Sequence, residues 1–364
     1  EQIPISQTFN YHNTFSLDEY SILTNLDYRI LYRDSSTNIN PAENYLLNFN
    51  NFFIFDNRSS NLSMYNKISS LNSVNSYKFE HDPTLNRQEN NNSLIISSDI
   101  YFNLLSNIRP RVKLIHFQDI IHSKNIINED SKSLGFNYTN QFNDNRFFGN
   151  DLTDNTSRIV YGLENKIKIY NQDFKLNLNQ SYDFNKNNNF ANQINQNSNL
   201  SDYSAEIKTN FNDINFKVDL RIDENSYSRK EMSYSLDLIK PSFEVGLNYH
   251  ETKKNAYKDV SNDTKSLNFG VSKKINENLK VIYNSNLDLK NNYSPYKDSV
   301  TISLYDECSK LDLTYINTRY NDNYNTAPEE KISLTFSMDY LGFFGYEQST
   351  DLFFEEAGNF NYGL

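Results

Sequence analysis

Between Tyr20 and Arg33 apolar and polar residues exchange places along the chain: Tyr20, Ile22, Leu26, Tyr28, Ile30 and Tyr32 share one parity, and Ser21, Asn25, Asp27, Arg29 and Arg33 the other. Successive side chains of a β-strand point to opposite faces, so this period of two describes a ribbon with one apolar and one polar side. The rhythm returns over residues 174–184, 214–222, 232–238, 243–249, 267–271 and 279–289. No helical period competes with it. At about 20 residues per strand and connection, the chain supplies roughly 16 to 18 antiparallel strands.

What the apolar faces meet is decided by composition. The chain has 37% apolar residues and a mean hydropathy of -0.74, and it contains no run of about 18 apolar residues able to cross a membrane as a helix. A membrane β-barrel is not bound by that test, because only alternate residues face lipid and the lumen side is polar. The 27 Tyr and 26 Phe argue against disorder, since disordered polar chains are poor in aromatic residues. Tyr also suits the membrane boundary, where its ring is buried and its hydroxyl stays wet. Trp is absent and Gly numbers nine, so Asn and Asp are expected in the turns. Heavy use of Asn, Ile and Lys is the imprint of an AT-rich genome and carries no function.

The breaks between strands fall into two kinds. Asn212 with Asp213, Lys240 to Ser242, and Asn276 with Glu277 are short and look like hairpin turns. Residues 80–92, 122–156, 185–200 and 250–264 are long and rich in Asn, and 185–200 reads as a mobile external loop. Short turns on one side and long loops on the other are the asymmetry of an outer-membrane up-and-down barrel. A soluble sandwich rarely strings so many hairpins in series, and no fixed period supports a solenoid or propeller.

A net charge of -11 argues against a nucleic-acid binder, which needs a basic footprint. Chemistry finds little footing: His12, His81, His116, His122 and His250 are scattered without the spacing of a zinc site, and no nucleophile elbow, P-loop or dinucleotide fingerprint occurs. Neither a metal nor a cofactor is expected, and the chain reads as a non-enzyme. The single cysteine, Cys308, excludes an internal disulfide framework. The first residues, EQIPISQTF, show no signal peptide, so the chain is expected to be a mature fragment.

One stretch is more specific. Residues 145–163, NRFFGNDLTDNTSRIVYGL, resemble the core motif of the LptD family of outer-membrane lipopolysaccharide-assembly proteins, roughly N-R-F-x-G-x-D-R-I before an alternating run. Asn145, Arg146, Phe147, Gly149 and Asp151 carry the match, while Leu152 and Thr153 replace the family's second Arg and Ile. Residues 108–114, IRPRVKL, resemble the family's L-E-P-R segment at the start of a strand. Residues 302–315, ISLYDECSKLDLTY, resemble its C-terminal strand pair, with a change of parity that marks a turn at Asp306 to Ser309. Residues 329–341 resemble its closing strand, with Ile332, Leu334, Phe336, Met338 and Tyr340 alternating.

The resemblance implies an all-β transmembrane barrel over residues 1–345 and a tail over 346–364, in the outer membrane of a Gram-negative bacterium. The family's periplasmic jelly-roll domain, and early strands of its larger barrel, are expected to lie outside the chain. It implies lipopolysaccharide as cargo, received from a periplasmic LptA-like bridge through the missing domain, an LptE-like lipoprotein as lumen plug, and dependence on the outer-membrane assembly machinery. It also implies a lateral gate at the closing strand, residues 331–341, and an interdomain disulfide for Cys308. Arg146 and Asp151 admit two readings: guides for an anionic glycolipid on a lumen loop, or clamps that fold the loop onto the wall, with Phe147 and Phe148 as apolar anchors and Gly149 as the turn. The rival functions are a porin or substrate-specific channel and an adhesive surface barrel.

Overall fold

Antiparallel neighbours in chain order make almost the whole molecule. The computed structural model describes residues 5–33, 41–59, 61–80, 82–103, 107–121, 127, 131–149, 151–170, 172–185, 189–258, 260–290, 294–319, 329–338 and 342–349. The first strands are β1 (Ile5–Leu17), β2 (Tyr20–Tyr32), β3 (Glu43–Arg58), β4 (Leu62–Lys78), β5 (Arg87–Phe102) and β6 (Ile108–Ile121). A two-stranded insert, β7 (Lys132–Ser133) with β8 (Phe147–Phe148), and a short helix α1 (Tyr138–Gln141) follow. The wall resumes with β9 (Arg158–Ile169) and β10 (Gln172–Asp183), helix α2 (Asn189–Gln193) intervenes, and β11 (Tyr203–Phe211), β12 (Ile214–Ile222), β13 (Arg229–Ile239) and β14 (Phe243–Thr252) continue it. The last are β15 (Thr264–Lys274), β16 (Leu279–Asp288), β17 (Ser294–Tyr305), β18 (Ser309–Thr318), β19 (Glu329–Met338) and β20 (Gly342–Ser349). Leaving out β7 and β8, these form one 18-stranded sheet, in agreement with the strand number read from the alternation.

Register explains the two faces. Ile22 lies opposite Phe53, Phe53 opposite Ile68, and Ile68 opposite Ile96, and these four are 45%, 42%, 44% and 42% exposed. A row of open apolar side chains across four strands is an aggregation hazard in water but the natural surface toward hydrocarbon. The opposite face holds Arg29 beside Leu46 and Leu46 beside Asn75, all three buried. Farther round, Asn248, Asn268 and Asn286 continue a polar row across β14, β15 and β16. Apolar outside and polar inside is the pattern of a membrane barrel wall, the reverse of a soluble core.

Turns are short at one end, as at Asn212–Asp213 between β11 and β12, and long at the other, where β6 and β9 are joined through residues 122–157. Asp18, Tyr170 and Asn212 stand at φ near +48° in the short turns, a conformation Asn and Asp tolerate better than most residues. Here polar residues fill a role commonly given to glycine.

Several expectations need correction. Residues 87–92 are part of β5, and only the preceding segment turns, through a short 3-10 helix at Pro83–Leu85 capped by Asp82, whose Oδ1 accepts from Thr84 N at 3.0 Å. β14 runs through Thr252, which shortens the loop read at 250–264. Residues 185–200 are not a loop adrift outside: Phe190 and Ile194 are wholly buried, because this apolar pair packs with Phe136 and Phe147. β20 carries the sheet past the boundary drawn at residue 345.

Candidate functional site

Residues 131–157 turn back against the polar face of the wall, and the motif residues are the means. Leu134 N donates to Arg146 O at 2.8 Å beside the β7–β8 pair. Asn145 Oδ1 accepts from Phe147 N at 3.2 Å and Asp154 N at 2.9 Å, closing the turn. Gly149 has φ of 102°, which only glycine adopts without strain. Phe147 is buried and meets Phe190 edge-on at 5.9 Å. Phe148 is 73% exposed, so of the two expected anchors Phe147 alone packs into the loop's core. The parity of a two-residue strand sends the neighbours to opposite faces.

Charge then locks the loop to the wall. Arg146, fully enclosed, donates from Nε to Asp154 at 2.5 Å and has Asp183 of β10 at 3.7 Å. Its guanidinium also lies 4.1 Å from the centre of the Phe190 ring. Arg158 of β9 joins the same Asp154 at 2.8 Å. Asp151 accepts from Arg29 of β2 at 2.8 Å. Asp144 lies 3.0 Å from Lys67 of β4 and 2.7 Å from Lys113 of β6. Burial alone raises a carboxylate's pKa, but the two ammonium groups outweigh it and hold Asp144 at about 2. Asp154 is likewise lowered: Arg146 and Arg158 overcome the cost of complete burial. These carboxylates stay ionised, and Arg146 presents no open face to an incoming anion. It is a clamp in this structure.

A second knot binds α2 and the next loop. Arg221 of β12 donates to Asp202 at 2.6 Å and to Ile194 O at 2.7 Å. Tyr257, between β14 and β15, donates to Glu231 at 2.6 Å, and its hydroxyl pKa is raised by burial and by Glu231. Asp202, Asp223 and Glu224 bring three carboxylates within 4.8 Å of one another, but Lys230 reaches Asp202 and Asp223 at 2.8 Å each. With Arg221 this makes an ion-pair cluster of mixed sign. His12, His116 and His250 join no group of metal ligands among the described residues, and His81 and His122 lie outside them.

Sequence reasoning found the motif residues of the loop but missed its Asp154 and the wall partners Arg29, Arg158 and Asp183. A lone Arg on the polar parity of a strand is the one signal available, and it is present at Arg29 and Arg158. Cys308 is exposed, in the turn between β17 and β18. Ile332, Leu334, Phe336 and Met338 lie on β19, and Tyr340 lies outside the described residues. β19 is not the final strand, because β20 pairs along its outer edge from Lys331–Ser349 to Met338–Gly342.

Residues 93–279 match the sequence model of LptD, LPS transport system D. The chain belongs to the LptD family. The matched stretch runs from β5 into β16 and includes the folded-back loop with its partners on β6, β9, β10 and β12. No curated protein matches the chain. Among solved structures this LptD-family chain is similar to the siderophore receptor PirA from Acinetobacter baumannii, at 9% identity and a TM-score of 0.52, covering 94% of this chain and 65% of that one. It is also similar to a mutant of the ferric enterobactin receptor PfeA from Pseudomonas aeruginosa, at 10% identity and a TM-score of 0.52, covering 93% and 63%. The chain thus spans somewhat less than two thirds of either, and what it shares with them is the fold. Family and fold together make it a β-barrel of the Gram-negative outer membrane.

Proposed function

We propose that this barrel receives lipopolysaccharide from the periplasm and delivers it into the outer leaflet through a lateral opening in its wall. The observation that carries the reading is that the LptD match falls on the segment whose loop is clamped against the inner wall by Arg29–Asp151, Arg158–Asp154 and Lys67–Asp144. An amphiphile with fatty chains and a sugar chain has to part company with such a lumen. Its sugars keep to the polar side, and its acyl chains must leave sideways into hydrocarbon.

The opening is proposed at the seam of β1 and β20. These are the two ends of the strand order, and among the described residues no pairing joins them. β1 is exposed along its described side chains, and unpaired backbone in lipid is costly enough to keep such a seam closed at rest. β19 then flanks the gate, with Leu334 on its lipid side. An LptE-like lipoprotein is proposed against the wall of β14 to β19, opposite the folded loop, and an LptA-like bridge below the short turns, where a disulfide through Cys308 would tie the barrel to a periplasmic domain.

Depletion of the protein tests the reading. Loss of newly made lipopolysaccharide from the cell surface, followed by loss of viability, is the expected result. Undisturbed surface lipopolysaccharide overturns it and leaves a channel or a surface barrel.

A further inference from the structure

Polar residues interrupt the lipid-facing side of the wall on β3, β4 and β5. Next to the open row of Ile22, Phe53, Ile68 and Ile96, and on the same parity, Thr24 opposes Asn51 and Asn51 opposes Ser70. In the following row Phe49 opposes Asn72, and Asn72 opposes Asn92. Leu47 and Val74, opposite one another, then restore apolar character. Asn51 and Ser70 fall at the middle of β3 (Glu43–Arg58) and β4 (Leu62–Lys78). Charged pairs mark both ends of this stretch, Glu43–Lys78 at 2.9 Å and Asp56–Arg58, so the amides lie between the two water boundaries, at the depth where polar groups on a lipid face cost most. Across β12 to β15 the same face is apolar, with Phe216, Leu236, Leu247 and Phe269 in one row.

Hydrocarbon offers such groups no hydrogen bond. Some are satisfied locally: Thr24 Oγ1 donates to Asn51 Oδ1 at 3.0 Å, and Asn72 Nδ2 donates to Phe49 O at 2.9 Å. Asn51 Nδ2 and the Asn92 carboxamide have no partner among the described residues, and both residues are half-buried, open to a neighbour. Whatever covers the stripe must donate and accept at mid-membrane depth, which a lipid tail cannot do and polar side chains of a protein can. The stripe has no formal charge, so a second copy of this chain meets no like-charge repulsion there despite a net charge of -11. A carboxamide both donates and accepts, which makes the stripe complementary to itself, as a two-fold interface requires. An axis along the membrane normal beside Ser70 lays β3 of each copy over β5 of the other. Asn51 of one copy then meets Asn92 of the other.

We infer that two copies of this chain associate in the membrane through the outer face of β3, β4 and β5. The inference does not depend on what the barrel transports. Ser70→Cys tests it in native outer membranes: oxidation with copper phenanthroline should give a disulfide-linked species of twice the monomer mass. The parent, whose one cysteine is Cys308, and Leu247→Cys on the apolar wall should give none. Adding Asn51→Leu and Asn72→Leu to Ser70→Cys should reduce that species about tenfold, the scale of one or two hydrogen bonds lost inside a membrane. The melting temperature of the solubilised barrel should be unchanged or higher, because apolar side chains replace polar ones on a lipid face. Native mass spectrometry of the parent in mild detergent gives a reading free of any substitution, and a dimer is expected. A parent that is monomeric by mass, with no Ser70→Cys dimer in the membrane, overturns the inference. A crosslink to a protein of another mass gives the stripe to a different partner and overturns it equally. Leucine variants that melt normally and crosslink as well as Ser70→Cys alone would show that the amides hold nothing.

Discussion

Arg29 Nη2 donates to Asp151 Oδ1 at 2.8 Å across 122 residues of chain, joining the second wall strand to the loop that bears the family motif. The arginine side chain is 9% exposed and the aspartate 0%. Such a pair is costly to break on one side only, since the survivor is left charged and buried.

Asp151→Ala is therefore expected to destabilise the clamped loop by about 3–5 kcal/mol. Arg29→Met with Asp151→Leu should cost less than the sum of the single changes. Limited proteolysis of the loop gives the measure, and planar-bilayer conductance should rise as the loop leaves the wall. Equal protease resistance in parent and Asp151→Ala would show that the pair does not hold the loop.

Acid should loosen the second clamp within a defined window. Asp144 is held down from 3.8 to about 2, so its contribution, about 2 kcal/mol by the size of that shift, is complete above pH 4 and is lost as pH falls through 2. The groups facing it are Lys67 at 3.0 Å and Lys113 at 2.7 Å. Loop protection followed by hydrogen exchange should fall between pH 4 and 2 in the parent protein. In Asp144→Asn that step should be absent.

Both clamps mark where sequence reading stops. The wall was legible because period two survives any tertiary arrangement: residues 214–222, picked out by alternation, coincide with β12. The loop was legible as a motif, but its partners were not, since Arg29 and Asp183 belong to strands whose alternation says only that a side chain faces the lumen. Phe190 and Ile194 were lost in an Asn-rich stretch. Four residues apart, they make one turn of apolar contact, too little to raise a periodic signal.

Close packing supplies a third test. A Cβ on Gly162 of β9 would lie 2.8 Å from the Leu178 carbonyl oxygen and 3.0 Å from Phe142 Cζ. Gly162→Ala should lower stability by about 1–3 kcal/mol through overpacking, read from the urea midpoint of the detergent-solubilised barrel. Gly135, with nothing within 4 Å of its added Cβ, is the control, and its alanine variant should unfold like the parent.

Orientation can be read from one atom. Cys308 is exposed in a short turn, and outer-membrane barrels keep short turns in the periplasm. In intact cells a maleimide unable to cross the outer membrane should leave it unlabelled, and permeabilised cells should react once any disulfide is reduced. Labelling of intact cells would invert the barrel.

The long span between Arg29 and Asp151 also sets an order of events. Contacts far apart in sequence form late, because the entropy of closing the intervening chain must be met first. β2 to β6 have to be laid side by side before Arg29 can find its partner. The last bolt to slide home is thus a record that the earlier wall has been built, and a barrel mispaired in its first strands would arrive with its motif loop unfastened and open to proteases.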